Sequence, residues 1–80
     1  MIREYMAAAM KHAHYEILSD DGTYYGEISG FEGVYANTPQ LEECSDLLEE
    51  ILEEWLVLGI SRGHALPTVD GLDMAIKESA

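Results

Sequence analysis

Basic residues are what this chain has least of. Only four Lys or Arg stand against sixteen Asp or Glu, and the formal net charge is −12 over 80 residues. Between Lys11 and Arg62 there is no Lys or Arg at all. A protein that grips phosphates needs a basic patch to displace counterions, so direct nucleic-acid binding is excluded as the main activity. An anionic membrane surface is excluded for the same reason. Cysteine is nearly absent too. The single Cys44 permits no internal disulfide and no cysteine-based zinc cluster, and suits a reducing, cytoplasmic setting. No apolar run approaches a membrane span, and Met1-Ile2-Arg3-Glu4-Tyr5 has neither the basic start nor the apolar core of a signal peptide.

What remains is enough for one small domain. Hydrophobic residues make up 48% of the chain, which supports a core and argues against intrinsic disorder. No repeat, low-complexity tract or linker divides it. Ile2, Tyr5, Met6, Ala9 and Met10 fall at helical spacing and predict a first helix from Ile2 to about Ala13. Such a short helix is unstable alone, so its apolar stripe must dock on something. Two strand-like runs follow, over 14–19 and 23–29, with Asp20-Asp21-Gly22 as the hairpin turn between them. A third strand is expected at 34–36.

The main helix is predicted from between Thr38 and Leu41 to near Gly63, with Thr38 and Pro39 as N-cap and first turn. Leu41, Cys44, Leu47, Leu48, Ile51, Leu52, Trp55 and Leu58 share one arc of its wheel. Glu42, Glu43, Asp46, Glu49, Glu50, Glu53 and Glu54 fill the opposite arc. Trp55-Leu56-Val57-Leu58-Gly59-Ile60 is apolar on every side, which calls for cover from the first helix or from a second copy of the chain. A last strand is expected over 72–77. The order α-β-β-β-α-β gives a small α+β domain, an antiparallel sheet of three to four strands under one main helix.

The carboxylates invite a metal-dependent nuclease reading through Glu16, Asp20, Asp21 and Glu27, but no cation nearby would neutralise a phosphate. Turn chemistry and solvated strand positions explain these acids better. His12 and His14 form a His-x-His pair, with His64 beyond the main helix, yet no third ligand has a recognisable spacing. Neither the serines nor Cys44 lie in a nucleophile motif, and no glycine run makes a phosphate loop. No catalytic residue, metal or cofactor is therefore expected. Charge is the more informative signal. The like-charge pairs Glu42/Asp46, Asp46/Glu50, Glu49/Glu53 and Glu50/Glu54 each cost about 0.2–0.5 kcal/mol at low salt. An acidic face kept at that cost fits a basic partner steered in by its field.

The order of residues also resembles a known family. Tyr15-Glu16-Ile17, Asp20-Asp21-Gly22, Tyr24-Tyr25-Gly26-Glu27-Ile28 and Gly33-Val34-Tyr35-Ala36 are similar to the HicB-like antitoxin domain. Leu41-Glu42-Glu43-Cys44, Leu48, Ile51-Leu52 and Trp55-Leu56 resemble that family's helix. The resemblance covers 14–66, with 1–13 as a helical extension and 67–80 as last strand and tail. It implies a partial ribonuclease-H-like fold without catalysis, and a role in masking HicA, a small basic messenger-RNA-cleaving toxin. The segment after the main helix is too short for the DNA-binding module of full-length members. The expected partner surface is Glu42, Glu43, Asp46, Glu49, Glu50, Glu53 and Glu54 with Tyr24, Tyr25 and Tyr35. The expected homo-oligomer contact, at least a dimer, is Ile2, Tyr5, Met6, Met10, Val57 and Ile60. The alternative is a stand-alone oligomer with no toxin partner and a merely solvated acidic face.

Overall fold

The computed structural model describes residues 2–72, with the side chain of Ile2 left aside. Helix α1 (Ile2–Met10) leads into strands β1 (Ala13–Ile17), β2 (Tyr24–Ile28) and β3 (Tyr35–Thr38), and then helix α2 (Leu41–Ser61). The strands form one antiparallel sheet in the order β1-β2-β3, so every pairing is between neighbours in sequence. Ala13 pairs with Ile28 and Ile17 with Tyr24, while Tyr24 pairs with Thr38 and Glu27 with Tyr35. None of the described helices is long and apolar enough to cross a membrane.

Register decides the two faces. Side chains alternate along a strand, so Ala13, Tyr15, Ile17, Tyr24, Gly26, Ile28, Ala36 and Thr38 share the face toward α2. His14, Glu16, Tyr25, Glu27, Tyr35 and Asn37 share the outer face. Helix α2 lies over β2 and β3 and buries Cys44, Leu48, Leu52, Leu56 and Gly59 in a narrow stripe. Leu41, Leu47 and Leu58, expected in the buried arc, are exposed instead. They stand on the two flanks of the stripe, beyond what a three-stranded sheet covers.

Helix α1 ends at Met10, three residues earlier than its apolar spacing suggests, because Ala13 already pairs in β1. Its buried stripe is Tyr5, Ala8 and Ala9, with Met6 and Met10 at the margin. Tyr5 meets the Phe31 ring edge-on at 6.3 Å, and Phe31 meets Trp55 at 5.1 Å. These three rings weld α1 to the far end of α2. The Tyr5 hydroxyl donates to the carbonyl of Pro67, which ties down the segment beyond the helix.

The helix ends differ from expectation in an instructive way. Thr38 is the last residue of β3 rather than the N-cap, and Gln40 occupies the cap position in an extended conformation. The Gln40 carbonyl accepts both the Cys44 N–H at 3.0 Å and the Thr38 hydroxyl at 2.6 Å. Thr38 thus stitches strand to helix. At the other end Gly63 takes φ +71°, its N–H donates to Ile60, and the His64 N–H reaches back to Gly59. That paired reach satisfies two orphan carbonyls and stops the helix. Beyond it, Val69 and Leu72 exchange backbone hydrogen bonds across a tight Asp70-Gly71 turn. Both turn residues have positive φ, the geometry of a two-residue hairpin. The rest of the last strand expected over 72–77 lies outside the described residues.

Candidate functional site

Among the described residues no three His, Cys, Asp or Glu side chains gather in a way that could hold a metal ion. Asp21 is spent on its own turn, accepting from the Thr23 hydroxyl at 2.7 Å and the Thr23 N–H at 3.1 Å. The Thr23 hydroxyl, then its N–H, hold the Asp21 carboxyl below the usual range. Asp70 Oδ1 accepts from His12 Nε2 at 2.9 Å, while His14 stands apart on the outer sheet face. Cys44 is fully buried, with Sγ directed at the carbonyls of Ala36 and Tyr24. It is a packing residue.

The acids of α2 do form a surface. Because the buried stripe faces the sheet, Glu43, Asp46 and Glu50 stand on the opposite side of the helix, flanked by Glu42, Glu49, Glu53 and Glu54. All seven are exposed. In the last two turns this ridge gives way to Val57, Leu58 and Ile60, each about half exposed at 53%, 51% and 45%. Glu53, Glu54, Val57 and Leu58 together form one open surface patch. Acidic and apolar surface therefore meet on one short stretch of helix. Trp55, on the buried side, is fixed by its indole N–H donating to the Glu32 carbonyl at 3.1 Å.

The tyrosines expected to join this surface are elsewhere. Tyr24 is on the helix-facing side and half-buried, whereas Tyr25 and Tyr35 are on the outer face of the sheet. Those two stack across the strands with centroids 6.1 Å apart and planes at 26°. The Tyr25 hydroxyl donates to Glu27 at 3.2 Å. Burial beside its neighbours, and then the bond and charge of Glu27, push the Tyr25 phenol above its ordinary range. The sheet and α2 lie between these rings and the acidic ridge. Half-buried Tyr24 apart, the expected partner residues thus form two surfaces on opposite sides of the molecule.

The expected oligomer contact is divided as well. Tyr5 is 1% exposed and belongs to the core, Met6 and Met10 edge it, and Val57 and Ile60 lie on the ridge. Ile2 lies in α1, where its side chain is outside the described residues. Sequence reasoning missed Leu58 as a surface residue. The signal was its place one turn after Glu54, on the margin of the acidic arc.

A family model described as UPF0150-like matches residues 4–67, which takes in α1, the whole sheet and α2. The chain belongs to the UPF0150-like family. Among solved structures it is similar to TTHA0281 from Thermus thermophilus, at 35% identity and a TM-score of 0.88. That similarity covers 96% of this chain and 95% of the other. The UPF0150-like fold thus accounts for the leading helix as well as the sheet and main helix. No curated protein matches the chain.

Proposed function

We propose that this UPF0150-like chain is an antitoxin-type binding module that neutralises a small basic messenger-RNA-cleaving toxin of the HicA kind. The observation that carries the reading is the ridge of α2, where seven exposed acids run into the exposed apolar patch of Val57 and Leu58. Mixed apolar and charged surfaces of this type suit a protein partner that buries its centre and leaves its rim wet. The resemblance of 14–66 to the HicB-like antitoxin domain, with its partial ribonuclease-H-like fold, supports the same assignment. No catalytic residue enters the reading, and no cofactor.

The ridge would act in two stages. Its field raises the encounter rate with a cationic protein, and the apolar patch sets how long the complex lasts. Titration calorimetry against a HicA-like ribonuclease, with RNA cleavage as the readout, tests it. Tight binding at low salt, weakening steeply as salt rises, is expected. Replacing Glu50, Glu53 and Glu54 by Lys should slow association by about tenfold or more. Absence of binding at low salt overturns the reading and leaves the stand-alone oligomer.

A further inference from the structure

Among the described residues strand β1 is an outer strand of the sheet, and from His14 to Ile17 nothing covers it on either face. Ile17 and, in part, Tyr15, whose ring leans over Gly26, are exposed on the side toward α2, and His14 and Glu16 are exposed on the other. The Leu18 N–H donates across to the Thr23 carbonyl at 2.8 Å. Hydrogen-bonded positions alternate along an antiparallel ladder, so Leu18, Glu16 and His14 direct their backbone groups at β2. Ala13, Tyr15 and Ile17 consequently direct theirs at the open edge. An open edge is a template for another strand, and sheets usually blunt it with Lys, Pro or a bulge. Between 13 and 17 there is no Lys and no Pro, and the register runs without a bulge.

We propose that the edge of β1 is the contact surface for a second copy of this chain, paired antiparallel about Tyr15. The argument is charge complementarity along the strand. Lys11 and His14 lie toward its start, Glu16 with Asp20 and Asp21 toward and just past its end. Antiparallel pairing brings the basic end of one copy against the acidic end of the other, twice. His14 then lies opposite the partner's Glu16, and Ala13 opposite the partner's Ile17. Tyr15 faces its own copy. The three outward-facing residues of each strand supply both donors and acceptors for the new ladder, so no slip of register is needed. Parallel pairing would align like charges. The other outer strand, β3, carries no charged residue to set a register. The product is one continuous six-stranded sheet, with both acidic ridges of α2 left free. This contact is independent of the toxin reading, since it uses none of the ridge residues.

Light scattering on the full chain tests the state, and a cysteine pair tests the register. The wild type is expected at twice the chain mass at micromolar concentration. Ile17→Lys, which places a charge in the apolar row of the edge, is expected at a single chain mass with an unchanged circular dichroism spectrum. In a Cys44→Ala background, Tyr15→Cys should yield a disulfide-linked dimer on mild oxidation. The centred pair places its Cα atoms about 5.5 Å apart. Ile17→Cys, on the same face, sits roughly 14 Å from its own copy and should not link. A wild-type monomer at micromolar concentration overturns the proposal, whatever else occupies the edge. So does a dimer that survives Ile17→Lys and links equally through both cysteines.

Discussion

At the scale of single residues, Gly26 shows how tightly the sheet meets its helix. A Cβ at this position would stand 2.8 Å from the Tyr15 ring and 3.0 Å from Cys44 Sγ. Gly26→Ala is therefore expected to destabilise the fold by about 1–3 kcal/mol, as overpacking does, measured by urea unfolding. Gly59 is the control. Its Cβ would crowd the tip of the flexible Leu66 side chain at 2.9 Å and touch His64 Cβ at an ordinary 4.0 Å, inside a helix that favours Ala. Gly59→Ala should thus change stability by no more than about 1 kcal/mol, since helix propensity offsets the contact. Tyr25 gives a spectroscopic signature. Its phenol should ionise late in an ultraviolet pH titration, and Tyr25→Phe should remove that late contribution. The sign for stability follows. A phenol whose folded value is raised contributes fully below about 10, the ordinary tyrosine value, and loses its contribution as pH climbs through the higher folded value. None of this was legible in the sequence. Tyr15, Gly26 and Cys44 lie far apart along the chain, and only strand register brings them together.

At the scale of elements, α2 pulls stability and binding in opposite directions. Glu50→Gln and Glu54→Gln each relieve like-charge contacts one turn away. Each should raise the melting stability of the free chain by about 0.2–0.5 kcal/mol per pair removed while weakening the proposed complex. A surface kept for binding shows that opposition. One that is merely solvated gains stability and loses nothing. The stop of α2 rests on Gly63 at φ +71°, where a side chain is strained, so Gly63→Ala should cost about 1–2 kcal/mol in a thermal melt. Most of α2 was legible beforehand. Its apolar and acidic arcs, its end at Gly63 and the buried Cys44, Leu48 and Leu52 all follow from a period of 3.6. Its N-cap was not, because a Thr-Pro pair reads as a cap until β3 claims Thr38. The exposure of Leu41, Leu47 and Leu58 was hidden for a related reason. A helical wheel says which residues share a side, and the breadth of the surface beneath decides how many are covered.

At the scale of the whole molecule, the −12 charge acts against compactness as well as for partner choice. Self-repulsion in the free chain is screened by salt, so its melting temperature should rise with added sodium chloride. The proposed toxin complex should weaken over the same range. These opposite slopes separate fold from function in one set of titrations. The split of the expected partner residues between ridge and outer sheet face belongs to this scale too. Spacing alone grouped acids and tyrosines, and three dimensions put the sheet between them.

The bond from Tyr5 to Pro67 has a consequence for how the chain is made. It spans 62 positions, and the contact from His12 to Asp70 spans 58. Everything between Ala13 and Ser61 can assemble from neighbouring hairpins and one helix as the polypeptide emerges from the ribosome. Helix α1, made before the sheet, gains its clasp only after residues 67–70 have left the exit tunnel. A segment that precedes the sheet is thus secured after it. During that interval the unclasped edge of the core around Phe31 is where a protease or a chaperone would find the nascent protein.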